Sequence, residues 1–277
     1  MTFDVHIHVQ PWTMLKPAAR ALMEAAGQDG VRALLEDPAR LVRHLDQEEV
    51  ERACCINYVA PEVMGFTREA IDWIASFTRD HRDRLLPVGS VHPRHERDVA
   101  AEIRRILDLG IRMIKIHPPH QLFAPNAYRF DLPALAEVYR ECEMRSVPVM
   151  IHTGTSIFPG ARNVYADPMP VDDVAVDFPE LKIILAHAGR PLYGETAFFL
   201  VRRHRNVFVD LSGIPPRSLE RYVPRLREIA ERVLWGTDWP SPGIRSMREN
   251  VEQFRALGFG PGIEEKVLRG NAQRLFG

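Results

Sequence analysis

Eight short apolar runs, rich in β-branched residues and separated by stretches with helical spacing, narrow the fold of this 277-residue chain more than any other feature. They fall at residues 3–8, 53–59, 85–91, 111–117, 147–152, 182–187, 207–211 and 233–238. Between them, Val99, Ile103, Ile106 and Leu107 recur at helical spacing up to Gly110, and Thr67 opens a stretch carrying Ile71, Ile74 and Phe77. Asp37-Pro38 reads as an N-cap with proline in the first turn, followed by Leu41, Leu45 and Val50 on one apolar face. Ser246 and Glu249 form a capping-box pair. No pair of runs is joined by a hairpin signal, so the strands run parallel with helices as crossovers. Eight such units predict a closed, distorted (β/α)8 TIM barrel as one domain over 1–277; an open doubly wound sheet is the runner-up, but no Gly-rich phosphate fingerprint follows any run.

The regular alternation is broken once, after the first run, where residues 11–36 are longer than an ordinary strand-to-helix loop. This segment reads as a helical lid or, alternatively, as a subunit contact in a homodimer. Lys plus Arg at 36 balance Asp plus Glu at 37, without a basic stripe, which points away from nucleic acid and toward a small-molecule substrate. No apolar run reaches the roughly 18 residues of a membrane span, and a strand starting at residue 3 leaves no room for a secretory leader, so a cytoplasmic location is expected. The three cysteines include the neighbours Cys54 and Cys55, which suit core positions and no disulfide framework.

A parallel barrel gathers the C-terminal ends of its strands at one mouth. Those ends carry His6 and His8, Lys115 and His117, His152, His187 and Asp238, while the remaining strands offer Tyr58, His92 and Asp210 or Ser212. His6 and His8, two positions apart on a strand, share a face and converge on one ion. Neutral imidazoles and a carboxylate are the donors that a divalent metal such as zinc accepts, with one position left for water. His6, His8, His152 and Asp238 are therefore the expected ligands. Asp4 is read as facing away from the metal and structural, with Asp210 and Ser212 hydrogen-bonding to the ligands from behind.

Several phrases strengthen this reading: Ile114-Lys-Ile-His-Pro118, Val149-Met-Ile-His-Thr-Gly154, Ile184-Leu-Ala-His-Ala-Gly189, Leu234-Trp-Gly-Thr-Asp-Trp-Pro240 and the tail Gly270-Asn-Ala-Gln-Arg-Leu-Phe276. Together with the order His-x-His, Lys, His, His, Asp, the chain resembles the amidohydrolase superfamily. The likeness is to its amidohydrolase-related branch, which contains aminocarboxymuconate-semialdehyde decarboxylase and γ-resorcylate decarboxylase. The resemblance implies a metal held by His6, His8, His152 and Asp238, with His187 beside it as an acid-base and substrate-polarising group. Lys115 stands where two-metal members carry a carbamylated bridging lysine; with a single ion, which is favoured, it would instead bind a substrate anion.

His117 lies on the same face as Lys115 and is a candidate for lining the mouth. Arg162 and Arg190, in loops after the fifth and sixth strands, have guanidinium forks suited to a substrate carboxylate. Trp12, Phe158, Trp239 and His120 are candidates for an apolar wall. The function expected is hydrolysis by metal-activated water of an amide, lactone or ester-like bond in a small carboxylated or cyclic molecule. Asp238 would take the water's proton and His187 would stabilise the oxyanion. A nonoxidative decarboxylase is the alternative, because one scaffold supports both chemistries.

Overall fold

Each apolar run becomes a strand in the computed structural model, which describes residues 1–241 and 243–277, apart from the side chains of residues 28 and 29. The strands are β1 (Thr2–His8), β2 (Val50–Ile56), β3 (Leu85–Gly89), β4 (Met113–Ile116), β5 (Val149–His152), β6 (Ile183–Ala186), β7 (Val207–Asp210) and β8 (Val233–Leu234). They pair in sequence order, every pair parallel, as eight-stranded barrels require. The principal helices are α1 (Pro17–Ala25), α2 (Pro38–Gln47), α3 (Glu69–Phe77), α4 (Val99–Asp108), α5 (Leu135–Met144), α6 (Val171–Asp177), α7 (Gly194–Arg203) and α8 (Met247–Arg255). A helical tail over 261–276 packs against β1 and β8.

The crossover helices form where the sequence supplies both a cap and an apolar stripe. Asp37 accepts hydrogen bonds from the amides of Ala39 and Arg40, and Leu41 and Leu45 of α2 are wholly buried. Removing such a cap typically costs about 1 kcal/mol. Val50 belongs to β2 rather than to the face of α2, because Glu49 takes a positive φ of 58° and ends the helical run. Ser246 accepts from the amide of Glu249, so half of the expected capping box forms; the Ser246 hydroxyl donates to Glu48 instead.

β8 is much shorter than the expected 233–238, yet the segment beyond it closes the barrel. Val5 N–H donates to Trp235 O (2.9 Å), Asp238 N–H to His6 O (2.8 Å) and His8 N–H to Trp239 O (2.7 Å). The register of β1 against β2 slips between Asp4 and Ile7, a bulge that breaks strict alternation. Asp4, expected to be structural, is fully buried and accepts from His6 N–H (2.9 Å), Thr237 N–H (3.1 Å) and the Thr237 hydroxyl (2.6 Å). It ties the bulge to the closing segment. Among the described residues no helix is long and apolar enough to cross a membrane.

Candidate metal centre

The nitrogens of His6 and His8 and a carboxylate oxygen of Asp238 all lie within 4.8 Å of one another. Asp238 Oδ1 is 3.1 Å from His8 Nε2 and 3.5 Å from His6 Nε2. Asp238 adopts a positive φ of 69°, a conformation that costs a non-glycine residue about 1 kcal/mol or more. The bond from its amide to His6 O holds it there, so the carboxylate stays against the β1 imidazoles. His152 falls outside this close group, though its buried Nε2 has no hydrogen-bond partner among the described residues.

Asp210 and Ser212, at the end of β7, decide which imidazole nitrogens are free. His6 Nδ1–H donates to Asp210 Oδ2 at 2.8 Å, leaving the Nε2 lone pair unused. His187 Nδ1–H donates to Ser212 O at 3.0 Å, so its Nε2 accepts from His152 Nδ1–H at 3.1 Å, which frees His152 Nε2 in turn. The hydrogen-bond network thus assigns tautomers that leave two buried lone pairs, His6 Nε2, 3.5 Å from the Asp238 carboxylate, and His152 Nε2. This donor set fits a divalent cation. Both ring nitrogens of His187 are engaged, so in this geometry it orients His152; the acid-base part expected of it would require Nε2 to leave that bond.

The electrostatics agree with ligands ready for a cation. Burial, helped by the Lys115 charge, lowers the His6 imidazole to about 4, and burial holds His117, His152 and His187 well below their ordinary value. These rings are neutral at pH 7, the form that binds metal. Burial pushes the Asp238 carboxyl up, but the His8 hydrogen bond and the charges of His8, His6 and Arg190 outweigh it and keep the group ionised. Asp210 is likewise held below the usual range against its burial by His6, the His187 amide and Ser212.

Lys115 is buried, and burial lowers its amine to about 8 against the opposing pull of Asp210 and Asp238. Its Nζ has no hydrogen-bond partner among the described residues, and Lys115 lies beneath the residues that line the mouth cavity. His117 does line the mouth. Its ring stacks on His120 (3.6 Å, 13°) and on His152 (3.8 Å, 14°), and His120 contacts Tyr58 OH at 3.0 Å and Ser156 Oγ at 2.7 Å. Stacking of this kind is tolerable because the imidazoles are uncharged.

The cavity over this centre has a volume of about 760 Å³, ample for a small metabolite. His8, His152, His187 and Asp238 face it on one side; Leu22, Met23 and Ala26 from α1 and its end, with Met64 and Phe158, supply apolar wall. Arg190 enters it with a guanidinium nitrogen 3.6 Å from Asp238 Oδ2. Two glycines make room for that arginine: a Cβ on Gly154 would lie 1.9 Å from Arg190 O, and one on Gly213 would lie 2.3 Å from its guanidinium. Arg162 is exposed and outside the cavity, its amide bonded to Pro119 O, because the loop after β5 turns it outward. Trp239 packs against His44 at 5.2 Å, and Trp12 is buried; neither lines the cavity. Arg217 and Arg245, unremarked in the sequence, do line it, Arg217 from a 3-10 turn (Pro216–Ser218) beyond β7 and Arg245 from the loop after β8.

Comparison with known proteins gives relatives of two activities on this fold. A curated relative, 4-sulfomuconolactone hydrolase of Rhizobium radiobacter, is 25% identical over 303 aligned positions, covering 99% of this chain and 89% of that protein. Among solved structures, a probable 2-pyrone-4,6-dicarboxylic acid hydrolase of Acinetobacter baumannii with citric acid bound superposes with a TM-score of 0.68 at 17% identity, covering 99% of this chain and 98% of that one. A 5-carboxyvanillate decarboxylase of Novosphingobium aromaticivorans complexed with manganese superposes with a TM-score of 0.70 at 16% identity, covering 100% and 96%. Residues 3–277 match the family profile described as amidohydrolase, and with a barrel, strand-end donors and mouth cavity of the expected kind, the chain belongs to the amidohydrolase family.

Proposed function

We propose that this chain is a metal-dependent hydrolase that opens a lactone or similar ester-like bond in a small carboxylated molecule, with zinc as its ion. One observation carries the reading: a single cavity joins Asp238 and the His8 imidazole of β1 to the guanidinium groups of Arg190, Arg217 and Arg245. The choice of hydrolysis over decarboxylation rests on the relative that aligns with nearly the whole chain, which is named a lactone hydrolase, whereas the likeness to decarboxylases at 16% identity is one of fold.

When bound by His6, His8, His152 and Asp238, a divalent ion supplies an activated water and positive charge for a developing oxyanion. Asp238, ionised and free at Oδ2 except for Arg190 at 3.6 Å, accepts the water's proton and returns it to the departing oxygen. His187 fixes His152 through the Nε2 to Nδ1 bond, and Asp210 fixes His6. The arginines hold the substrate carboxylate by charge-assisted hydrogen bonds. Leu22, Met23 and Ala26 line the cavity, so residues 11–36 act as its lid in this reading. A cytoplasmic location, suited to the unpaired Cys54, Cys55 and Cys142, belongs to it as well.

Turnover of a panel of carboxylated lactones and hydroxybenzoates in ¹⁸O-labelled water tests the proposal. Hydrolysis places one labelled oxygen in a ring-opened carboxylate. Release of CO₂ from the benzoates without label incorporation would establish the decarboxylase reading instead.

A further inference from the structure

Outside the mouth cavity, a second group of donors lies across two neighbouring loops. The turn after β3 reads His92-Pro93-Arg94-His95, closed by the bond from His95 N–H to His92 O at 2.9 Å. Proline at the second position of such a turn sets φ in advance and brings the first and fourth side chains together. The two rings accordingly sit 4.3 Å apart. From the loop after β2, Glu62 meets them: Oε1 is 2.7 Å from His95 Nε2 and Oε2 is 3.8 Å from His92 Nε2. All three donors fall within 4.8 Å of one another.

The decisive atom is His92 Nε2. His92 is only 2% exposed, and this nitrogen has no hydrogen-bond partner among the described residues although it is aimed at the Glu62 carboxylate. Leaving a buried polar atom unmatched costs about 1 to 3 kcal/mol, so a ligand is the natural resolution. Burial, with the charges of His95 and Arg94 acting in the same direction and Glu62 against them, lowers the His92 imidazole to about 4, so the ring is neutral at pH 7. Arg94 N–H reaches Nδ1 at a long 3.4 Å, a weak contact that gives way when the ring proton moves to Nδ1 and Nε2 takes the ion. Glu62 and His95 are partly exposed, which gives an ion a way in.

We propose that Glu62, His92 and His95 form a second, surface-accessible site for a divalent transition-metal ion such as zinc, separate from the centre at His6, His8 and Asp238. Two imidazoles and one carboxylate, with water in the fourth position, are a set that zinc accepts. Because Glu62 follows β2 and His92 follows β3, the ion clips two mouth loops together. His92 also packs edge-on against Phe123 at 5.6 Å, beyond the turn that carries His117 and His120.

The test is zinc content after equilibration with zinc and dialysis, in wild type, Glu62→Gln, His95→Ala and the double variant His8→Ala/Asp238→Ala. Wild type should retain about two equivalents, and each of the Glu62 and His95 variants about one. The double variant should also retain about one, now at the loop site. With zinc about 100-fold above its Kd, the rise in Tm should be about 5 °C larger in wild type than in His95→Ala. Both loop residues are exposed, so these variants fold. Zinc content and zinc-induced Tm rise unchanged by Glu62→Gln and His95→Ala would overturn the assignment.

Discussion

The donor group at the barrel floor and the arginines at the cavity rim face the same space but are built differently. His6, His152 and Asp238 are almost fully buried, carried on or just beyond strands, and locked by neighbours such as Asp210, His187 and the His6 carbonyl. Arg217 and Arg245 are exposed, on a single 3-10 turn and a loop, with no comparable bonds holding their side chains among the described residues. The floor keeps donor geometry within the tolerance that chemistry needs; the rim keeps charge near a substrate while tolerating change. Reaction type should therefore depend on the floor and substrate choice on the rim.

The sharpest break of that division is Asp238→Asn. With no group left to take the water's proton, kcat should fall about a thousandfold while the fold is retained, as steady-state kinetics and circular dichroism would show. Asp210→Asn comes next: by loosening the His6 tautomer it should weaken metal affinity about 10- to 100-fold, measured by competition with a chelator. Rim variants should act on a different parameter. Arg217→Ala and Arg245→Ala should each raise KM about tenfold for a carboxylated lactone, leave kcat nearly unchanged, and have no effect on an uncharged one. If they lowered kcat as Asp238→Asn does, the two regions would not be separable.

The same contrast explains what was legible in the sequence. Apolar runs ending in His8, His152, His187 and Asp238 were readable because strand periodicity and barrel geometry jointly fix where a strand end points. Arg217 and Arg245 obey no period, and Arg162, equivalent to Arg190 by its place after a strand, is turned outward by a loop whose path the sequence does not reveal. The register slip between Asp4 and Ile7 left no trace in the sequence, because a bulge is invisible to a count by twos. The short β8 went unseen because residues 235–239 still follow β1, through three backbone bonds, without forming a regular ladder. The engagement of both His187 nitrogens depends on Ser212 O, a backbone atom that sequence cannot position.

The subtlest expectation concerns Lys115. Its amine titrates near 8 in the fold against 10.5 in the unfolded chain, so between those values the unfolded state binds more protons and stability rises with pH. Below about 8 both states are protonated and the contribution is flat. Chemical denaturation of metal-free wild type and Lys115→Met across this window should show wild type gaining stability relative to the variant as pH rises; a constant difference would mean that Lys115 is not buried as an amine.

The central claim is that segments separated by more than two hundred residues meet around one ion on which turnover depends. Metal content and activity of the purified protein, measured before chelation, after it, and after return of zinc or manganese, test this most directly. The account predicts loss of turnover with the ion, recovery on its return, and neither in His8→Ala/Asp238→Ala. Full turnover by thoroughly metal-free protein would contradict it.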